Sequence, residues 1–202
     1  ADTSVLRSHE WGNEIEYIEV SATVTGNGIS DPVKARDVSF IPPKVVHTTL
    51  TNGAQGNVYR IEINPLIAAQ SGGAQNDGGE GTGQPPVIRN HNELDRNAGH
   101  VLIGSVDGAT NYLLLHTNPM LPGAVSHPDT GGHIHEWEHM VSVLEGTATL
   151  VCGGINYAVS QGDASLVPPN LHHQWKNESQ APVIRGTYNP IALDASVTRL
   201  HG

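Results

Sequence analysis

From Val101 to Tyr188, outside His133–Glu145, the chain is cut every few residues by Gly, Pro or Asn, which leaves no room there for long helices. The runs between are strand-length and rich in β-branched residues: Val101-Leu-Ile103, Asn111–His116, Val141-Ser-Val143, Thr147–Cys152, Ile155–Val159, Ala164–Val167 and Val183–Tyr188. Gly153-Gly154, Gln161-Gly162-Asp163 and Pro168-Pro169 mark turns. Val, Ile, Thr and Tyr suit a pleated, half-buried surface, whereas Gly and Pro weaken a ladder. Many short strands separated by such turns predict an all-β barrel or sandwich.

The first half continues in this style. Ile15–Val20 and Ala22-Thr-Val24 precede the turn residues Thr25–Gly28. Val45–Leu50 and Asn57–Ile63, joined through Asn52-Gly53 and Gly56, are expected to form a hairpin. Residues 71–86 are Gly-rich with little apolar area, the composition of a flexible loop. Asn92–Asn97 predicts a short helix that ends at Gly99. The expected organisation is a β-rich N-terminal extension or arm over 1–97, a barrel over 98–192 and a tail over 193–202.

Ten basic against 20 acidic residues give a formal charge of −10, with no basic cluster, so nucleic acid and anionic membrane are poor partners. No apolar run approaches the ~20 residues of a membrane span. Cys152 is the only cysteine, which excludes an internal disulfide and a thiolate metal cluster; Leu150-Val-Cys152 reads as a buried strand. The chain starts at Ala1, consistent with a removed leader or tag. With few Lys and a sequon at Asn177-Glu-Ser179, secretion is the expectation, the cytoplasm the alternative.

Three histidines fall within seven residues, His133-Ile-His135-Glu-Trp-Glu-His139, after Gly131-Gly132. Neutral imidazole is the commonest protein ligand for transition metals. His135-Glu136-Trp137-Glu138-His139 matches H-E-x-x-H, but that motif works only on a helix. The preceding glycines, Val141 and Val143, and Glu145-Gly146 soon after argue against one. The better reading puts His133 and His135 on one face of a strand, followed by a turn near Glu136–Glu138 and a new strand from His139. A fourth ligand must then come from elsewhere in the chain.

These residues resemble the cupin superfamily. Its first motif runs H-x-H, a Glu after three or four residues, then a Gly six residues further; here these positions hold His133, His135, His139 and Gly146. Its second motif, G-x5-P-x-G-x2-H-x3-N, maps to Gly162, Pro168, Asn170, His173 and Asn177. The likeness covers roughly residues 100–192. Two positions depart from it. Asn170 replaces a Gly, a mild change because Asn tolerates left-handed backbone. His139 replaces the usual Glu, so the set becomes four neutral imidazoles.

The resemblance implies a cupin-type β-barrel (double-stranded β-helix or jelly roll) holding one divalent transition metal through His133, His135, His139 and His173. His172 competes with His173, but the motif spacing selects the latter. Mn, Fe, Ni, Cu and Zn all accept such ligands. Val141, Val143 and Trp175, with Tyr112 and His116, are the expected pocket wall around a small-molecule substrate. Glu136 and Glu138 are the candidate proton-transfer groups. The expected activity is that of a metal-dependent oxidoreductase of the dioxygenase type. A redox-neutral lyase or isomerase and a non-catalytic metal- or sugar-binding protein are the alternatives, and a homodimer is the expected assembly.

Overall fold

The computed structural model describes residues 13–19, 22–51, 59–64, 85–91, 100–109, 112–116 and 119–193. It is β throughout, with no α-helix among the described residues and none long and apolar enough to cross a membrane. The chain divides into two compact units. The first takes residues 1–93 and 103–111; the second takes 94–102 and 112–202.

The first unit holds β1 (Asn13–Glu19), β2 (Ala22–Gly26), β3 (Ile29–Val33), β4 (Asp37–Ile41), β5 (His47–Thr51), β6 (Tyr59–Ile63) and β7 (Val87–Asn90). They form two antiparallel sheets, ordered β6-β1-β4-β7 and β3-β2-β5. Tyr17, Ala22, Val24, Val33, Ile41 and Val45 make a core of their own. Arg89 closes a two-pronged pair on Asp107, at 2.8 and 2.6 Å, which ties β7 to a single 3-10 turn over Ser105–Asp107.

One expectation fails here. The segments around Asn52-Gly53 do not make a hairpin: β5 pairs with β2, while β6 pairs with β1 in the other sheet. A two-residue loop forces its strands to pair, but residues 52–58 separate these two, so the Asn-Gly signal does not fix their pairing. The Gly-rich stretch 71–84 and the expected helix over 92–97 lie outside the described residues.

The second unit holds β8 (His100–Ile103, whose last residue falls to the first unit), β9 (Tyr112–His116), β10 (His139–Glu145), β11 (Thr147–Cys152), β12 (Ile155–Ser160), β13 (Ala164–Val167), β14 (His173–Lys176) and β15 (Ile184–Pro190). One sheet is ordered β13-β10-β15-β9-β8 and the other β12-β11-β14. Between them lies a core of Val141, Val143, Ala148, Leu150, Cys152, Val159, Val167 and Trp175, with Met120 and Val183. Alternation along each strand sends these residues inward. Burying each large one contributes roughly 1.5–3 kcal/mol. Burial also pushes the Cys152 thiol up, as a structural cysteine requires.

The turns behave as their residues suggest. Gly146 has φ +86°, and a Cβ there would stand 2.8 Å from the Pro182 carbonyl. Asn170 adopts φ +61°, the left-handed conformation that its motif position demands.

Candidate metal centre

His133 and His173 come from segments forty residues apart, yet they form a two-bond bridge: each N–H donates to the other's carbonyl at 3.0 Å. Asn170 N–H donates to the His135 carbonyl at 2.8 Å, a second tie between the two histidine segments. Gly132 makes the close approach possible. It has φ +125°, and a Cβ would lie 2.6 Å from both the His173 carbonyl and the His172 ring. His133 and His135 stand in extended but irregular chain, since only the His133 bridge continues the ladder. The expected regular strand is absent there because the glycine pair and the bends at Glu136 and Trp137 interrupt it.

His139 opens β10, as the sequence suggests, after those bends. Ligand nitrogens of His133, His135 and His173 all lie within 4.8 Å of one another, and His139 stands just outside that trio. The rings of His133, His135, His139 and His173 lie close together. Five of their six centroid separations fall between 4.2 and 5.4 Å, while His133–His139 spans 6.5 Å.

Hydrogen bonds fix how three rings present themselves. His135 Nδ1 lies 2.9 Å from the Trp137 carbonyl, with the Trp137 ring stacked on the imidazole at 4.6 Å. His173 Nδ1 lies 3.0 Å from the Leu171 carbonyl. His139 Nδ1 lies 2.9 Å from Oδ1 of Asn189, on β15. A carbonyl can only accept, so His135 and His173 carry their proton on Nδ1 and offer the Nε2 lone pair to the cluster. His173 Nε2 and His133 Nδ1 are buried without a protein partner, a costly state that a bound cation would relieve. The residues present therefore fit a metal ion.

Electrostatics agree. Burial lowers His133 to about 4, helped by the neighbouring imidazoles of His173, His127, His135 and His172. Burial lowers His139 to about 3; the Asn189 hydrogen bond opposes this only in part, and the other histidines add to it. His173 is lowered too, again chiefly by burial. Neutral imidazole, the form that ligates, thus persists well below neutral pH.

Val141 and Val143 are buried on the core side of β10, and Trp175 is buried two residues beyond His173. Register assigns more residues to that side: Thr187 faces Val141, Arg185 faces Val143, and Leu113 faces Asn189. The Arg185 guanidinium lies over the Trp175 ring at 5.0 Å. Tyr112 is placed elsewhere. It pairs with Pro190, so strand alternation puts it on the opposite face from Leu113 and Asn189, and its hydroxyl reaches Glu138 at 3.4 Å. Glu138, one residue before His139, is engaged there, and Glu136 is exposed. His116 pairs with Gly186, and its side chain lies outside the described residues.

Two neighbours of the cluster carry no motif. Asn189 sits in an ordinary Tyr188-Asn189-Pro190 run. His127 packs its ring 4.0 Å from that of His133, from an exposed turn at φ +49°. Only the fold brings either one close.

A jelly-roll barrel with a histidine cluster built from two sequence motifs defines a class, the metal-binding β-barrels. Residues 120–184 match the family model described as Cupin domain. No curated protein matches it in sequence. Among solved structures, a mutant of salicylate 1,2-dioxygenase from Pseudoaminobacter salicylatoxidans is similar with TM-score 0.72 and 11% identity, over 96% of this chain and 68% of that one. AerE from Microcystis aeruginosa is similar with TM-score 0.63 and 10% identity, over 93% and 81%. A mutant oxalate decarboxylase from Bacillus subtilis is similar with TM-score 0.57 and 17% identity, over 91% and 64%. At these identities the likeness is one of fold.

Proposed function

We propose that this chain is a metal-dependent cupin enzyme of the dioxygenase type, acting on a small organic substrate. The observation that carries the reading is the cluster of His133, His135 and His173, whose ligand nitrogens lie within 4.8 Å of one another, with the His139 ring beside it. Fe or Mn is the ion expected for such chemistry, although imidazole alone also accepts Ni, Cu or Zn. When bound, a divalent transition ion supplies Lewis acidity and, if redox-active, a path for electrons to dioxygen.

The protein's contribution is specific. None of the four candidate ligands is a carboxylate, so no ligand charge would offset that of the ion. Four protein ligands on a six-coordinate ion would leave two positions for a chelating substrate or for a substrate beside a small gas molecule. Val141, Val143, Leu113 and Trp175 exclude water from the core side. Thr187 adds a hydroxyl to that face. The fold likeness to salicylate 1,2-dioxygenase agrees with this reading without deciding it. We also propose a homodimer, as the superfamily resemblance implies.

Oxygen uptake by Fe- or Mn-loaded protein, offered small aromatic and enolisable acids, is the test. Turnover that consumes oxygen and is lost in His135→Ala supports the proposal. Turnover independent of oxygen replaces it with a redox-neutral lyase or isomerase. Tight metal binding with no turnover on any substrate leaves a metal- or sugar-binding protein.

A further inference from the structure

We infer that Asn189 is the positioning residue of the site: it selects the His139 tautomer that can ligate, and it does so without adding charge. The inference rests on the four-histidine reading.

The ring nitrogens of His135 and His173 are held by main-chain carbonyls only two residues away in sequence. Those acceptors come with the local fold. His139 has a different arrangement, with a side chain fifty residues distant in the chain as its partner, at 2.9 Å. β10 and β15 pair antiparallel, Met140 opposite Tyr188 and Val141 opposite Thr187, which places Asn189 across from His139. With Oδ1 as acceptor, His139 Nδ1 carries the proton and Nε2 is free to ligate. A shorter or apolar residue at 189 would let the ring turn or take the other tautomer.

The identity of the residue also matters. An Asp would accept the same bond, but its charge would pull the Nδ1 proton and make His139 a more anionic ligand. The amide orients without doing so. It therefore preserves the uncharged set that substitution of His139 for a carboxylate created.

Co(II) titration of apoprotein, followed by its d–d absorption, tests this in wild type, Asn189→Leu, Asn189→Asp and His139→Ala. Asn189→Leu should bind Co(II) about 10–100-fold more weakly and shift the bands toward those of His139→Ala. Asn189→Asp, which keeps the acceptor, should bind at least as tightly as wild type with an altered spectrum. Wild-type affinity and spectrum in Asn189→Leu, with loss in His139→Ala, would overturn the role of Asn189 alone. If His139→Ala also matches wild type, the four-histidine reading itself fails. Should Asn189→Leu not fold, 15N long-range NMR of wild-type apoprotein decides: an Nδ1–H tautomer at His139 supports the role and an Nε2–H tautomer refutes it.

Discussion

His133 and His173 exchange both of their main-chain hydrogen bonds, and this places their rings 4.2 Å apart, centroid to centroid. The two halves of the centre are thus joined through backbone, independent of any ion.

The bridge needs Gly132. Gly132→Ala would place a Cβ 2.6 Å from the His173 carbonyl, in a backbone conformation that Ala rarely adopts. Because the obstructing atom is main chain, it cannot swing aside. We expect a loss of more than ~1 kcal/mol of stability and a site that binds less than one equivalent of metal, read by thermal unfolding and metal analysis.

The imidazoles set a pH dependence. Folded His133 lies at about 4 and His139 at about 3, below the ordinary 6.5 that the unfolded chain retains. As pH falls below 6.5, the unfolded state takes up protons that the native state refuses, so stability drops. It is fully present above 6.5 and erodes as pH falls toward the folded values. The apoprotein Tm should therefore decline across that window, and His139→Gln should flatten the decline. A Tm that rises as the solution is acidified would contradict the lowered values.

A resident ion should stabilise the fold by mass action. At a free metal concentration one hundred times Kd the gain is about 2.7 kcal/mol. Chelation should lower Tm, and a single first-row divalent ion should restore it. His135→Ala should remove that response while its own apoprotein Tm stays near that of wild type.

Asn177 should behave as a structural residue. It is 1% exposed; Nδ2 donates to the Met120 and Ala181 carbonyls at 2.7 and 2.8 Å, and Oδ1 accepts from Ser179 N–H and Oγ at 3.0 and 2.7 Å. Asn177→Leu removes all four bonds and leaves the Met120 carbonyl only its bond from Val183 N–H, a loss of about 1–3 kcal/mol in chemical denaturation. The sequon Asn177-Glu-Ser179 is correspondingly masked in the folded chain: its amide is already committed, so mass spectrometry of folded protein exposed to a glycosylating system should find position 177 unmodified.

Legibility in the sequence varies by residue. His133, His135, His139 and His173 stand out as candidate ligands because imidazole is conspicuous and their spacings match a recurring pattern. Asn170 at φ +61° and Gly146 at φ +86° are equally readable, since few residues tolerate those conformations. The β5–β6 segments mislead because Asn-Gly suggests a turn without fixing whether the flanking strands pair. Tyr112 misleads for a related reason: its strand is visible but its face is not. A shift of one residue in register reverses which side chains point inward, and the observed register joins Tyr112 to Glu138 instead.

The sequence by itself determined the β character, the turns and the four imidazoles, because these depend on local stereochemistry and on short spacings along the chain. Only the tertiary structure decided which side chains meet those imidazoles. Asn189 reaches His139 through the pairing of β10 with β15, His127 reaches His133 from a turn, and Thr187 and Leu113 face the core by register. Such contacts join residues far apart in the chain through non-local hydrogen-bonded ladders, whose register is settled by packing of the whole barrel.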